Sequence, residues 1–178
     1  MKALKIWIGP VIAGLVIAAA VHMVVVLDAP GRIMAAAMNR ISDDGARTNV
    51  WRHAPRTSIA SRNIVRPSPD LAYSSCVFDL SNGPVRITAP SWNDYASLSI
   101  FAANTDNFYV INDRQMPSGG ADILLIRNGS ARPATSAIVV ESPSTKGIAL
   151  LRYLAPTPER FAAAAAARTS ARCEVWRD

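Results

Sequence analysis

Histidine and cysteine are nearly missing from this sequence, with two of each among 178 residues. A structural zinc site needs about four His, Cys or carboxylate ligands converging at short spacing. Neither His22 with His53 nor Cys76 with Cys173 has that spacing, so no metal site is assigned. Glycine-rich phosphate loops and dinucleotide fingerprints are missing too, since Ser118-Gly119-Gly120 is too short and reads as a turn. No cofactor is assigned. A Ser–His–Asp triad would have to use His53, which lies in an irregular basic stretch without a nucleophile elbow beside it. No catalytic residue is assigned either. Charge is also scarce: Asp, Glu, Lys and Arg make up 18% of the chain, against about a quarter in soluble domains. The net charge of +6 comes almost wholly from arginine. A GC-rich genome accounts for that bias as well as a binding surface would.

The shortage of charge is concentrated. Residues Ile6 to Leu27, IWIGPVIAGLVIAAAVHMVVVL, hold no Lys, Arg, Asp or Glu. As a helix they reach about 33 Å, enough for a hydrocarbon core of about 30 Å. Lys2 and Lys5 precede the run and Asp28 follows it, which predicts a cytoplasmic N-terminus and an outside C-terminal part. A cleaved signal peptide is the competing reading, with Ala18, Ala19 and Ala20 as an A-x-A site. Against it, Val21 to Leu27 stays apolar beyond that site. The expected location is the bacterial inner membrane, single-pass, with a periplasmic domain and inner-membrane lipid as a partner.

Asp28, Ala29 and Pro30 predict a fresh helix start, an N-cap followed by a first-turn proline. Ile33, Met34, Ala37, Met38 and Ile41 then form an apolar face at helical spacing. Acids are absent from Gly45 to Pro69, whereas Arg47, Arg52, Arg56, Arg62 and Arg66 all fall there with Trp51 and His53 between them. Two readings stay open for this strap: contact with anionic lipid headgroups, or pairing of its guanidiniums with acids of the folded domain. An extracytoplasmic location argues against nucleic acid.

From Ala72 the period becomes two. Ser74, Cys76, Phe78 and Leu80 share one face and Tyr73, Ser75, Val77 and Asp79 the other, with Val85, Ile87 and Ala89 next after an Asn82-Gly83-Pro84 turn. Ala96 to Ala102 alternates with Leu98 and Ile100 inward. Phe108 to Ile111, Ile123 to Ile126, Ala137 to Val140 and Ile148 to Leu151 are short apolar runs of strand length. About seven such strands predict a mainly β, antiparallel sandwich-like domain. Thr157-Pro158-Glu159 starts a C-terminal helix. The chain thus divides into an anchor (1–28), a short amphipathic helix and basic strap (29–58), the β domain (59–155), and a C-terminal helix and tail (156–178).

Cys76 and Cys173 are an even pair, and in the oxidising compartment expected outside the membrane a disulfide persists. The alternative is a free, buried Cys76 beside Phe78. A candidate ligand-binding set is also present: Arg66, Asp70, Tyr73, Asn107, Tyr109, Asn112 and Arg114 are polar groups near strand ends. Turn-forming side chains and structural Arg–Asp pairs explain them equally well. A buried pair of Asp70 with Arg66 or Arg62 would make Asp70→Ala cost about 3–5 kcal/mol.

The stretch Ile64-Val65-Arg66-Pro67-Ser68-Pro69-Asp70-Leu71-Ala72-Tyr73-Ser74, with Asp79-Leu80, Gly83-Pro84-Val85 and the Trp92 to Tyr95 turn, resembles the bacterial family called domain of unknown function 1254. The resemblance covers roughly Ile59 to Leu154, and the family's usual Asn reads Ser68 here. It implies a β-sandwich-like domain and a partner, because longer members carry a second domain, domain of unknown function 1214, in the same chain. It implies no settled activity. Two functions follow as expectations: an interaction subunit of an envelope complex, or a ligand-binding or enzymatic subunit whose site a partner completes.

Overall fold

The computed structural model describes residues 2–58, 60–61 and 67–177. One helix, α1 (Lys2–Ser42), opens the chain. Its 41 residues extend about 62 Å, and it includes one stretch long and apolar enough to cross a membrane. The apolar side chains there are uncovered, with Leu27 75% and Ile6 73% exposed. The predicted helix start at Asp28 does not exist, because α1 runs unbroken through Pro30. A proline inside a helix removes one backbone hydrogen bond. Here Asp28 bonds Arg32 one turn later instead of capping a new terminus.

The helix stops where Asp43, Asp44 and Gly45 all adopt positive φ (51°, 54° and 92°). Ser42 Oγ donates to the Met38 carbonyl and accepts from Gly45 N–H. The predicted face does pack: Met34, Ala37, Met38 and Ile41 lie on Val77, Ile148 and Phe101. Ile33 remains exposed.

Among the described residues nine strands follow: β1 (Arg52–His53), β2 (Leu71–Asp79), β3 (Val85–Ala89), β4 (Ala96–Ala102), β5 (Asn107–Asn112), β6 (Ala121–Arg127), β7 (Ile138–Ser142), β8 (Lys146–Leu154) and β9 (Arg172–Val175). Helix α2 (Pro158–Ala167) precedes β9. Its N-cap is the expected one, Thr157 accepting from Arg160 N–H with Pro158 in the first turn. The strands form two sheets, ordered β1-β2-β8-β4-β5 and β7-β6-β3-β9. The mainly β, sandwich-like class holds. Every pair is antiparallel except β6–β7, which is parallel; residues 128–137 carry the chain back between them, the crossover a parallel pair requires.

Period-two alternation sends one face of each sheet inward. Cys76, Phe78, Leu98, Ile100, Leu151 and Tyr153 meet Val85, Ile87, Ile123, Leu125 and Cys173 in one core. The Asn82–Pro84 turn links strands that never pair, because β2 and β3 belong to opposite sheets. Gly147 sits where any Cβ would lie 2.1 Å from the Phe101 carbonyl oxygen and 2.5 Å from the Phe78 ring, so only glycine fits that crossing. The Cys76–Cys173 disulfide forms, across a sequence separation of 97, and ties β2 of one sheet to β9 of the other.

Candidate functional site

The strap is part of the domain. Trp51 is 8% exposed and belongs to the core. Its indole N–H donates to the Arg172 carbonyl at 2.9 Å and is within 3.3 Å of the Thr88 carbonyl, clamping β3 and β9 together. Asn49 flanks β2: its N–H donates to the Val77 carbonyl, and its side chain donates to the Asp79 carbonyl and accepts from Asp79 N–H. Arg47 and Arg52 pair with Asp43, an acid at the helix end, and Arg56 donates to the Pro156 carbonyl. Arg62 and Arg66 lie outside the described residues. Three of the five arginines are thus spent on the chain itself.

The deeply buried cation is one that sequence reasoning missed. Arg168 is 3% exposed. It donates to the carbonyls of Tyr73 and Ala54 and, at 3.4 Å, to Ser74 Oγ, and stacks over Phe161. Burial pushes its guanidinium below the ordinary arginine value. His53 Nδ1 stands 2.8 Å from Ser74 Oγ. Arg168 can only donate, so Ser74 Oγ accepts from it and keeps one lone pair and its own proton for the His53 contact. Ser74 is 1% exposed and cannot meet a substrate, so this Ser–His contact is structural.

Burial, then the nearby Arg168 charge, lowers the His53 pKa from 6.5. The unfolded chain therefore binds more protons than the folded one below that value, and stability rises with pH there. Stability is expected to be level above about pH 6.5 and to fall as pH drops through the lowered folded pKa. Chemical-denaturation midpoints from pH 5 to 8 should show that slope in the native chain and a smaller one in His53→Gln.

The proposed ligand residues do not come together. Tyr73 points to the outer face of the five-stranded sheet, and its hydroxyl accepts from Ser68 N–H at 2.9 Å. Tyr109 packs on the inter-sheet core instead, and burial raises its pKa. Asn107 is exposed at a β-bulge between Ile100 and Phe101. Asn112 and Arg114 share a turn closed by Asn112 Oδ1 accepting from Arg114 N–H. β5 stands three strands from β2, about 14 Å away. Arg66 is among the residues not described.

Asp70 is exposed, and its carboxylate has no ion pair among the described residues. Its exposure argues against a large effect of Asp70→Ala, while a pair with Arg62 or Arg66 falls outside the described residues. The substitution is now expected to stay within about 0.5 kcal/mol of the native chain, as surface changes do; thermal melts of both proteins measure it.

The outer face of the five-stranded sheet carries an apolar concavity. Helix α1, the strap and strands β2, β8 and β4 enclose an open groove of about 610 Å³. Met34, Ala37, Ile41, Phe101, Ile148 and Leu150 give it apolar walls, and Tyr73, Ser75, Thr57 and Arg152 are polar groups along it. Arg152 is its one charged lining residue among those described. Cross-strand register places Tyr73 beside Arg152 and Ser75 beside Leu150. Arg152 Nη2 donates to Ser99 Oγ at 2.9 Å, while its Nε is buried without a partner. A lone Arg at an outward position of an otherwise apolar strand was the signal in the sequence. No group of three or more potential metal ligands occurs among the described residues.

The fold is similar to that of the VPA0106 protein from Vibrio parahaemolyticus, with a TM-score of 0.58 at 13% identity, covering 83% of this chain and 37% of that one. An uncharacterised protein from Burkholderia cenocepacia shows a TM-score of 0.49 at 12% identity, covering 66% of this chain and 34% of that one. The chain therefore spans about a third of the solved chains it matches. No curated protein matches it. A family model matches residues 48–175, wider than the 59–154 resemblance because it takes in Trp51, β1 and β9. Matched over most of its length, the chain belongs to the family described as protein of unknown function DUF1254.

Proposed function

We propose that this protein is a membrane-anchored periplasmic subunit that assembles with a second protein in the bacterial envelope. One observation carries the reading: α1 is a single helix whose first part is apolar and uncovered while its last turns pack on the sandwich. Exposed Ile, Leu and Val around a helix need an apolar surrounding, and lipid supplies it. The unbroken helix then holds the β domain at a fixed distance from the bilayer. The disulfide supports an oxidising compartment on the far side. Support for a partner comes from the Vibrio chain, where the same fold is 37% of a longer polypeptide.

Alkaline-washed membranes should retain the full-length chain, and purification in mild detergent should bring a second protein at constant ratio. A soluble protein lacking residues 1–20 would mean a cleaved signal peptide and overturn the anchor. A chain that purifies alone under all mild conditions would remove the partner.

A further inference from the structure

We propose that the groove between α1 and the five-stranded sheet binds a long-chain fatty acid, with Arg152 holding its carboxylate. The groove's volume of about 610 Å³ falls in the range of small-molecule sites, about 300–1,000 Å³. Its walls are apolar, and the lining includes no acid among the described residues. A cation in such a groove selects a negative head on an apolar body. Arg152 spends one nitrogen on Ser99 and has no acid partner among the described residues, which leaves its charge uncompensated. The Tyr73 hydroxyl accepts from Ser68, so its own proton stays available to donate. Ser75, two residues along the same strand face, has a hydroxyl without a partner among the described residues. One positive charge and two hydroxyl donors match the single charge and four lone-pair sites of a carboxylate. Each methylene laid on the apolar wall strengthens binding about fourfold.

The groove also lies in the right place. Met34 is seven residues beyond Leu27 along the same helix, about 10 Å, so a molecule leaving the outer leaflet meets the groove at once. That placement rests on the anchored topology proposed above; the binding site itself does not.

The test uses the full chain in lipid nanodiscs with carboxyl-¹³C palmitate. One equivalent should give a carboxylate resonance distinct from palmitate dissolved in empty nanodiscs. The Arg152 charge favours the ionised form, so this resonance should hold its ionised position to lower pH than the dissolved pool. Arg152→Gln should weaken binding at least about tenfold. Leu150→Trp, which projects from the sheet into the groove and leaves Arg152 in place, should abolish the resonance while the disulfide and melting temperature stay near native. That second variant keeps the test valid if Arg152→Gln folds poorly. No distinct resonance at saturating palmitate overturns the site, as does a resonance unchanged in both variants. Displacement of palmitate by a lysophospholipid of equal chain length, at tenfold lower concentration, would assign the groove to a phosphate head and overturn it too. A failed anchor leaves all these readouts measurable, so the two proposals fail separately.

Discussion

Cys76→Ala with Cys173→Ala is expected to lower the unfolding free energy by about 4–5 kcal/mol. The bond closes a loop of 97 residues, and in the chain-entropy model a loop near that length restricts the unfolded chain by about 4.7 kcal/mol. The whole domain has about 5–15 kcal/mol, so the loss is a large share. It falls unevenly. β9 has four residues and pairs only with β3 at the edge of its sheet, and the disulfide is its covalent link to the opposite sheet. Amides of 172–175 should therefore exchange with solvent first once the bond is gone. Denaturant midpoints of the full chain in detergent, oxidised and reduced, measure the loss. A change under about 1 kcal/mol would mean that β9 is held by packing alone.

Trp51→Ala is the second large effect, at about 3–5 kcal/mol. The indole is 8% exposed inside the core, so truncation removes its buried area and leaves a void that close-packed neighbours fill only in part. It also removes the N–H shared by the Thr88 and Arg172 carbonyls. Trp51→Phe separates the two contributions, since it keeps most of the ring and loses only the donor. Its cost should be about 1–3 kcal/mol. Were the strap a lipid-contacting arm, Trp51→Ala would leave the thermal melt unchanged and weaken only membrane contact.

Elements with a strong period were legible in the sequence. β2, β3 and β4 show in their alternation and the later strands as short apolar runs, and Thr157-Pro158 marks its helix by cap chemistry alone. β1 and β9 were not legible. They have two and four residues, too short for a period, and their pairing is set by Trp51 and the disulfide. Pro30 misled in the other direction. Proline after an Asp is the pattern of a helix start, yet a helix already 28 residues long tolerates the loss of one hydrogen bond.

The candidate site was legible only at Tyr73. Strand order, which sequence period does not reveal, separates Tyr73 from Asn107, Asn112 and Arg114. The same order brings Arg152 next to Tyr73. Arg168 was hidden for a similar reason: it lies in an alanine-rich tail, and only the packing of α2 against β2 buries it.

The account stands or falls on which side of a membrane the sandwich lies. A reporter enzyme that is active only outside the cytoplasm, fused after Asp178, measures this directly in living cells. The anchored periplasmic reading predicts full activity in the membrane fraction, with the Cys76–Cys173 peptides joined in non-reducing mass maps. A fusion of normal abundance that stays silent, with both thiols free to alkylate, would contradict it.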